Sequence, residues 1–190
     1  MKILKKLLAI NTVFLIIFAF SIDVQAQRRK GPPPKKAHKV AHAKHHPHHK
    51  YAHHPKRGAV VKVVPSGAAV VMHKGVKFHL HSGVWYKPKG GAFVVVRPVR
   101  GIRIKTLPPG HRKIVLRQKT YFYYYGTYYM MTNTKEYEVI DAPVGAEVDA
   151  LPDGYTTETV DGKEYYKLDD TYYKQKDKGG ETAYEVVEVK

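Results

Sequence analysis

The chain repeats itself, and the period restricts its fold more than any other feature. Gly101-Ile-Arg-Ile-Lys-Thr-Leu107-Pro108-Pro-Gly110 aligns with Gly145-Ala-Glu-Val-Asp-Ala-Leu151-Pro152-Asp-Gly154 at an offset of 44 residues. The offset persists from Lys119 to Lys163, from Phe122 to Tyr166 and from Thr127-Tyr128-Tyr129 to Thr171-Tyr172-Tyr173. A more degenerate copy lies 43 residues upstream, with Val64-Pro65-Ser66-Gly67 at the turn, Phe78 matching Tyr121 and Val84-Trp85-Tyr86 matching Thr127-Tyr128-Tyr129. The body therefore reads as three copies of one supersecondary unit, Gly58–Arg97, Pro98–Ala142 and Pro143–Lys190. A unit this short is small for an independent core, so the copies are expected to share one.

Each copy reads as β. Val60, Ile102, Ile104 and Val148 precede a Pro-x-Gly turn, a Tyr/Val/Thr-rich run follows, and no apolar stripe has helical spacing. The expected class is all-β: three antiparallel β-hairpin repeats, either joined in a shared sheet or closed as SH3-like barrels. Asp161-Gly162 signals a two-residue hairpin. A turn at Asp169-Asp170 sets Tyr166 opposite Tyr173 and Lys167 opposite Tyr172. The same register in the first copy puts Phe78, Leu80 and Trp85 on one face, with His79, His81 and Tyr86 on the reverse. In the second copy both faces are aromatic, Tyr121, Tyr123 and Tyr128 against Phe122, Tyr124 and Tyr129, which places that copy between the other two.

Outside the repeats the chain changes character. Residues 1–26 read as an export signal: Lys2, Lys5 and Lys6, an apolar run Leu7–Phe20, then Val24-Gln25-Ala26 with cleavage expected after Ala26. The apolar run is shorter than the roughly 20 residues of a spanning helix, so the mature chain is expected in the periplasm or secreted, with no transmembrane span. Gln27–Arg57 has ten basic residues, eight histidines and no acid. Its few apolar residues cannot offset the entropy of ordering it, and a disordered His/Lys/Pro-rich tether is expected. The chain has 33 Lys+Arg against 16 Asp+Glu, and the excess is graded. Gly58–Arg97 holds no acid, whereas Ala142–Lys190 has six basic residues against twelve acidic. A basic arm on a dipolar body points to polyanions as partners, and its opposite ends suit head-to-tail self-association.

The recurring Leu-Pro-x-Gly followed by Tyr-Tyr, Thr-Tyr-Tyr and Tyr-Glu-Val, behind a signal peptide and a basic linker, resembles the exported bacterial domain-of-unknown-function family 6515. The resemblance spans Gly58–Lys190 and implies an exported small β protein with no assigned activity. Leu107-Pro108-Pro109-Gly110-His111 and Leu151-Pro152-Asp153-Gly154-Tyr155 also resemble the turn of periplasmic nickel and cobalt homeostasis proteins, a likeness too short to carry a function.

The candidate sites follow from these segments. Arg28, Arg29, Lys30, Lys35, Lys36, Lys56 and Arg57 are the expected contacts for envelope polyanions, glycolipid or polysaccharide. His45, His46, His48, His49, His53 and His54 form an imidazole cluster suited to Ni, Zn or Cu, the basis of an alternative reading as a metal buffer. Set against it is a plain solvated tether whose histidines charge below about pH 6.5. His79 and His81, two apart on one strand face, form a second possible pair, with His73 or His111 as a third ligand. Solvent-facing polar residues are the simpler account of that pair. The tyrosines suit a stacking platform, although packing explains most of them, and an export signal disfavours nucleic acid. Cysteine is absent, Ser66 and Ser82 sit in turns, and no phosphate loop or H-E-x-x-H occurs, so no enzyme is expected.

Overall fold

A computed structural model describes residues 49–189 of the chain. Each repeat forms its own five-stranded antiparallel sheet. The first holds β1 (Val60–Val61), β2 (Ala69–His73), β3 (Val76–His81), β4 (Val84–Lys89) and β5 (Ala92–Val96). The second holds β6 (Arg103–Ile104), β7 (Arg112–Leu116), β8 (Lys119–Tyr124), β9 (Thr127–Met131) and β10 (Tyr137–Ile140). The third holds β11 (Glu147–Val148), β12 (Thr156–Val160), β13 (Lys163–Leu168), β14 (Thr171–Lys178) and β15 (Glu181–Val187). All three share one strand order, β1-β5-β4-β3-β2 in the first. The fold is all-β in three units, as expected. The units neither merge into one continuous sheet nor close into barrels.

The Pro-x-Gly turn explains the order. Proline cannot donate to a ladder, and Gly67, Gly110 and Gly154 sit at φ 78°, 77° and 108°. The two-residue opening strand therefore ends, and the chain crosses to the far edge before a four-strand meander returns to pair with it. Register follows the expectation: Tyr166 faces Tyr173, Lys167 faces Tyr172, and Leu80 faces Trp85. The hairpin loops at Ser82-Gly83, Tyr125-Gly126 and Asp161-Gly162 hold both residues at positive φ, the twist that two-residue hairpins prefer.

The sheets stack through a rule that repeats with them. Trp85 and Phe78 on one face of the first sheet pack against Tyr129, Val139 and Ile104 of the second, and Trp85 Nε1 donates to Tyr129 Oη at 3.0 Å. Tyr123 and Tyr128, on the other face of the second sheet, share a core with Tyr166, Tyr173 and Tyr184 of the third. The middle repeat is thus flanked on both sides, as its two aromatic faces required. The hairpin glycines let the sheets approach. A Cβ on Gly83 would collide with the Tyr124 ring and lie 2.8 Å from Pro108 Cβ; one on Gly126 would meet Leu168 Cδ2 at 2.8 Å and Pro152 Cγ at 3.2 Å. Tyr124 and Leu168 occupy corresponding positions, as do Pro108 and Pro152, so each turn glycine seats against the same two positions of the next repeat.

One turn departs from this economy. Where the first and third repeats have Lys74-Gly75 and Asp161-Gly162, the second has Arg117-Gln118, with Gln118 exposed at φ 63°. An L-residue pays roughly 1–2 kcal/mol there, part of which glycine returns as unfolded-chain entropy. Gln118→Gly is expected to stabilise the protein by about 0.5–1 kcal/mol in urea unfolding. A loss of stability would show that the Gln118 side chain contributes contacts beyond its backbone geometry.

Candidate functional site

The residues just ahead of the first repeat belong to the folded body. His49–Tyr51 forms one turn of 3-10 helix, closed by the His54 amide donating to the Tyr51 carbonyl at 2.9 Å. Tyr51 is buried, edge-on to the rings of Tyr124 and Tyr125 at 5.5 and 5.4 Å. His54 packs beside it, and its Nε2 lies 2.9 Å from Tyr124 Oη. The Tyr125 hydroxyl donates to the Pro55 carbonyl. These contacts hold Tyr125 at φ 48°, where the first repeat has Ser82 and the third Asp169.

Arg57 ends this strap, and its environment corrects the sequence-based reading. The sequence places it on a solvated tether as a polyanion contact, but only 7% of it is exposed. Its Nη2 donates to the Tyr125 carbonyl at 2.8 Å, its Nε lies 3.4 Å from Asp169 Oδ2, and its guanidinium sits 5.1 Å from the Tyr125 ring centroid. Its amide donates to the Asp153 carbonyl at 2.8 Å. One side chain thus ties the start of repeat 1 to the hairpin turns of repeats 2 and 3. Lys56, by contrast, is exposed. Arg28, Arg29, Lys30, Lys35, Lys36, His45, His46 and His48 lie outside the described residues. The expected linker Gln27–Arg57 therefore ends earlier, and the signal that it does was Tyr51, the one aromatic residue in that stretch.

Against the strap lies a cleft of about 690 Å³. Imidazoles from two separate segments meet in it: His53 and His54 from the strap, and His81 from the end of β3. The His53 and His54 rings are 4.1 Å apart. Burial, with His53 and His81 adding to it, lowers the His54 pKa from 6.5 to about 4. On the opposite wall Asp149 is bridged by Lys50 and by Arg112, the latter at 3.1 Å. Burial pushes the Asp149 carboxyl up, but the two cations outweigh it and hold it below the usual carboxylate range.

The other histidines disperse. His79 shares a face with His81 but stacks edge-on against Phe93 at 5.1 Å. His73 abuts Gly101, and His111 donates from Nδ1 to the Pro108 carbonyl at 3.0 Å. Neither joins the His79/His81 pair, and among the described residues no three His, Asp or Glu side chains are arranged to hold a metal ion. The tyrosines are mostly core: Tyr86, Tyr123, Tyr124, Tyr125, Tyr128, Tyr129, Tyr166, Tyr173 and Tyr184 are buried.

A family model described as a family of unknown function, DUF6515, matches residues 28–190. The chain belongs to DUF6515. The match runs across the basic linker and the strap as well as the repeats, so in this DUF6515 protein the region ahead of Gly58 is part of the family's pattern. No curated protein and no solved structure matches the chain.

Two predictions test the strap. Arg57→Ala strips the Tyr125 carbonyl of its buried donor and removes the cation over the ring, and is expected to cost about 2–3 kcal/mol in urea unfolding; a loss under about 0.5 kcal/mol would mean the strap is not anchored there. For His54 the folded pKa is depressed, so the unfolded chain binds more protons between about 4 and 6.5. Stability is then full above pH 6.5 and is lost as pH falls from 6.5 towards 4. Allowing for its partial solvent exposure, the loss is about 1–2 kcal/mol. His54→Gln should flatten the stability profile across that window, and an unchanged slope would assign it to other groups.

Proposed function

We propose that this DUF6515 protein is an exported, non-enzymatic cell-envelope protein whose basic end binds polyanionic envelope material, glycolipid or polysaccharide. Lys2, Lys5 and Lys6, followed by the apolar run and Val24-Gln25-Ala26, support the export address. Among the described residues no helix is long and apolar enough to cross a membrane.

The observation that carries the reading is how unevenly cations are paired. In the third repeat three lysines are held by acids, Lys167 by Glu158 at 3.1 Å, Lys176 by Glu185 at 2.8 Å and Lys178 by Glu147, while Lys163 and Lys174 are exposed. In the first repeat Lys62, Lys74, Lys77, Lys87 and Lys89 are all exposed and make no ion pair with the described residues. That repeat has no acid of its own, and Asp141, the one acid among the described residues that pairs with it, is taken by Arg97 at 3.0 Å and by Arg100. Unpaired ammonium groups on a rigid sheet, continuous with a basic linker, present a field that a long polyanion can neutralise by multiple weak contacts.

Such attraction is screened by salt. Binding of the full chain to vesicles carrying a phosphorylated glycolipid is expected to weaken by about tenfold or more between low and high ionic strength. Charge reversal at Lys77, Lys87 and Lys89 together should weaken it further at low salt. Affinity that does not respond to salt or to these substitutions rejects the reading.

A further inference from the structure

The stacking rule leaves one place unfilled. Gly83 seats against Tyr124 and Pro108, and Gly126 against Leu168 and Pro152. The corresponding pair in the first repeat is His81 and Pro65. No sheet precedes that repeat among the described residues. Its His81 and Pro65 instead face the strap across the 690 Å³ cleft.

We propose that this cleft is a binding site for a phosphate monoester carried on a sugar-sized group. The inference rests on the polyanion reading of the basic end and names a discrete ligand for it. The charged and titratable groups around the cleft are Lys50, His53, His54, His81, Arg112 and Asp149, with the phenols of Tyr51, Tyr86 and Tyr124. The only carboxylate among them is already bridged by both formal cations. What remains for a ligand is a set of nitrogen and hydroxyl donors. His81 and Tyr86 both line the cleft, and neither side chain makes a hydrogen bond to the described residues. Burial disfavours a charge on His54, and His53 and His81 beside it add to the effect. A phosphate monoester loses its second proton near pH 6, so it brings acceptor oxygens and a charge that rises in the range where imidazoles titrate. Its arrival compensates the protons they take up. Pro65, Val84 and Pro109 form the apolar part of the wall, and the volume lies within the usual range for small-molecule sites, larger than a bare phosphate needs.

The test is calorimetric titration of the full chain with glucosamine 6-phosphate, inorganic phosphate and glucosamine. Saturable binding of the sugar phosphate is expected, about tenfold or more tighter than inorganic phosphate. It should be accompanied by proton uptake, seen as a dependence of the heat on buffer ionisation near pH 6.5. His81→Gln, and separately Tyr86→Phe, which keeps the ring, should each weaken it by about fivefold to tenfold. Glycolipid binding through the exposed lysines should survive both substitutions. Inorganic phosphate binding as tightly as the sugar phosphate, no proton uptake, or no response to either substitution overturns the cleft site and leaves the polyanion reading standing. Loss of salt-dependent glycolipid binding with the sugar phosphate still bound would instead overturn that reading as stated.

Discussion

Tyr128 and Tyr129 are adjacent on β9 and so point to opposite sides of the middle sheet. Tyr129 takes the indole N–H of Trp85 from the sheet before, and Tyr128 enters the core shared with Tyr173 of the sheet after. Both are buried, and burial pushes both hydroxyls up in pKa, Tyr128 most strongly. The pair commits one sheet to two partners, and the remaining architecture is a consequence. A sheet of five short strands with one open aromatic face would be marginal, whereas three stacked sheets bury a core on each side of the middle one. Glycine at the hairpin tips is then required twice over, by positive φ and by the ring and proline it must seat against.

A stack of sheets has two ends, and each is finished differently. The outward face of the third sheet pairs Lys167 with Glu158, Lys176 with Glu147 and Glu185, and Lys178 with Glu147, next to Tyr172, whose hydroxyl donates to Glu158 at 2.9 Å. That is a polar face suited to water, as terminal repeats require. The first sheet has no such ladder. Its outward face buries Val84, Tyr86 and Val95 in the core that Tyr51 joins, and leaves Val70 and Met72 each 57% exposed. The strap covers part of this face and is fastened by Arg57 to turns of the other two repeats. The first repeat therefore depends on residues ahead of it in the chain.

Much of this arrangement was legible in the sequence because repeats and alternation are written locally. An offset of 44 residues identifies the units, and a turn at Asp169-Asp170 suffices to pair Tyr166 with Tyr173. Two aromatic faces on the second copy are enough to place it in the middle. The strap was not legible, because its composition is that of a linker and its order is conferred from outside. Arg57 is held by the Tyr125 carbonyl and by Asp169, groups far along the chain that no local pattern connects to it. The cleft escaped for the same reason. His53 and His54 appeared as members of a histidine run, and His81 as one of a strand pair with His79. The fold separates His79, against Phe93, from His81 and brings His81 to the cleft with His53 and His54.

The recombination also changes what the basic end is. Read as composition, the linker and first repeat are a uniform positive stretch. In the structure the cations fall into three kinds with different physics. Arg57 is buried and structural, so its charge is spent on the fold. The lysines of the first repeat are exposed and unpaired, and they act at range through a field that salt screens. In the cleft, burial keeps His54 from charging, beside an exposed His53 and a half-buried His81. Of the first repeat's lysines, Lys77 lies on the same face of β3 as His81, whereas Lys87 and Lys89 lie on the Trp85 face of β4. The strap that lines the cleft is also the segment that leads into the first repeat.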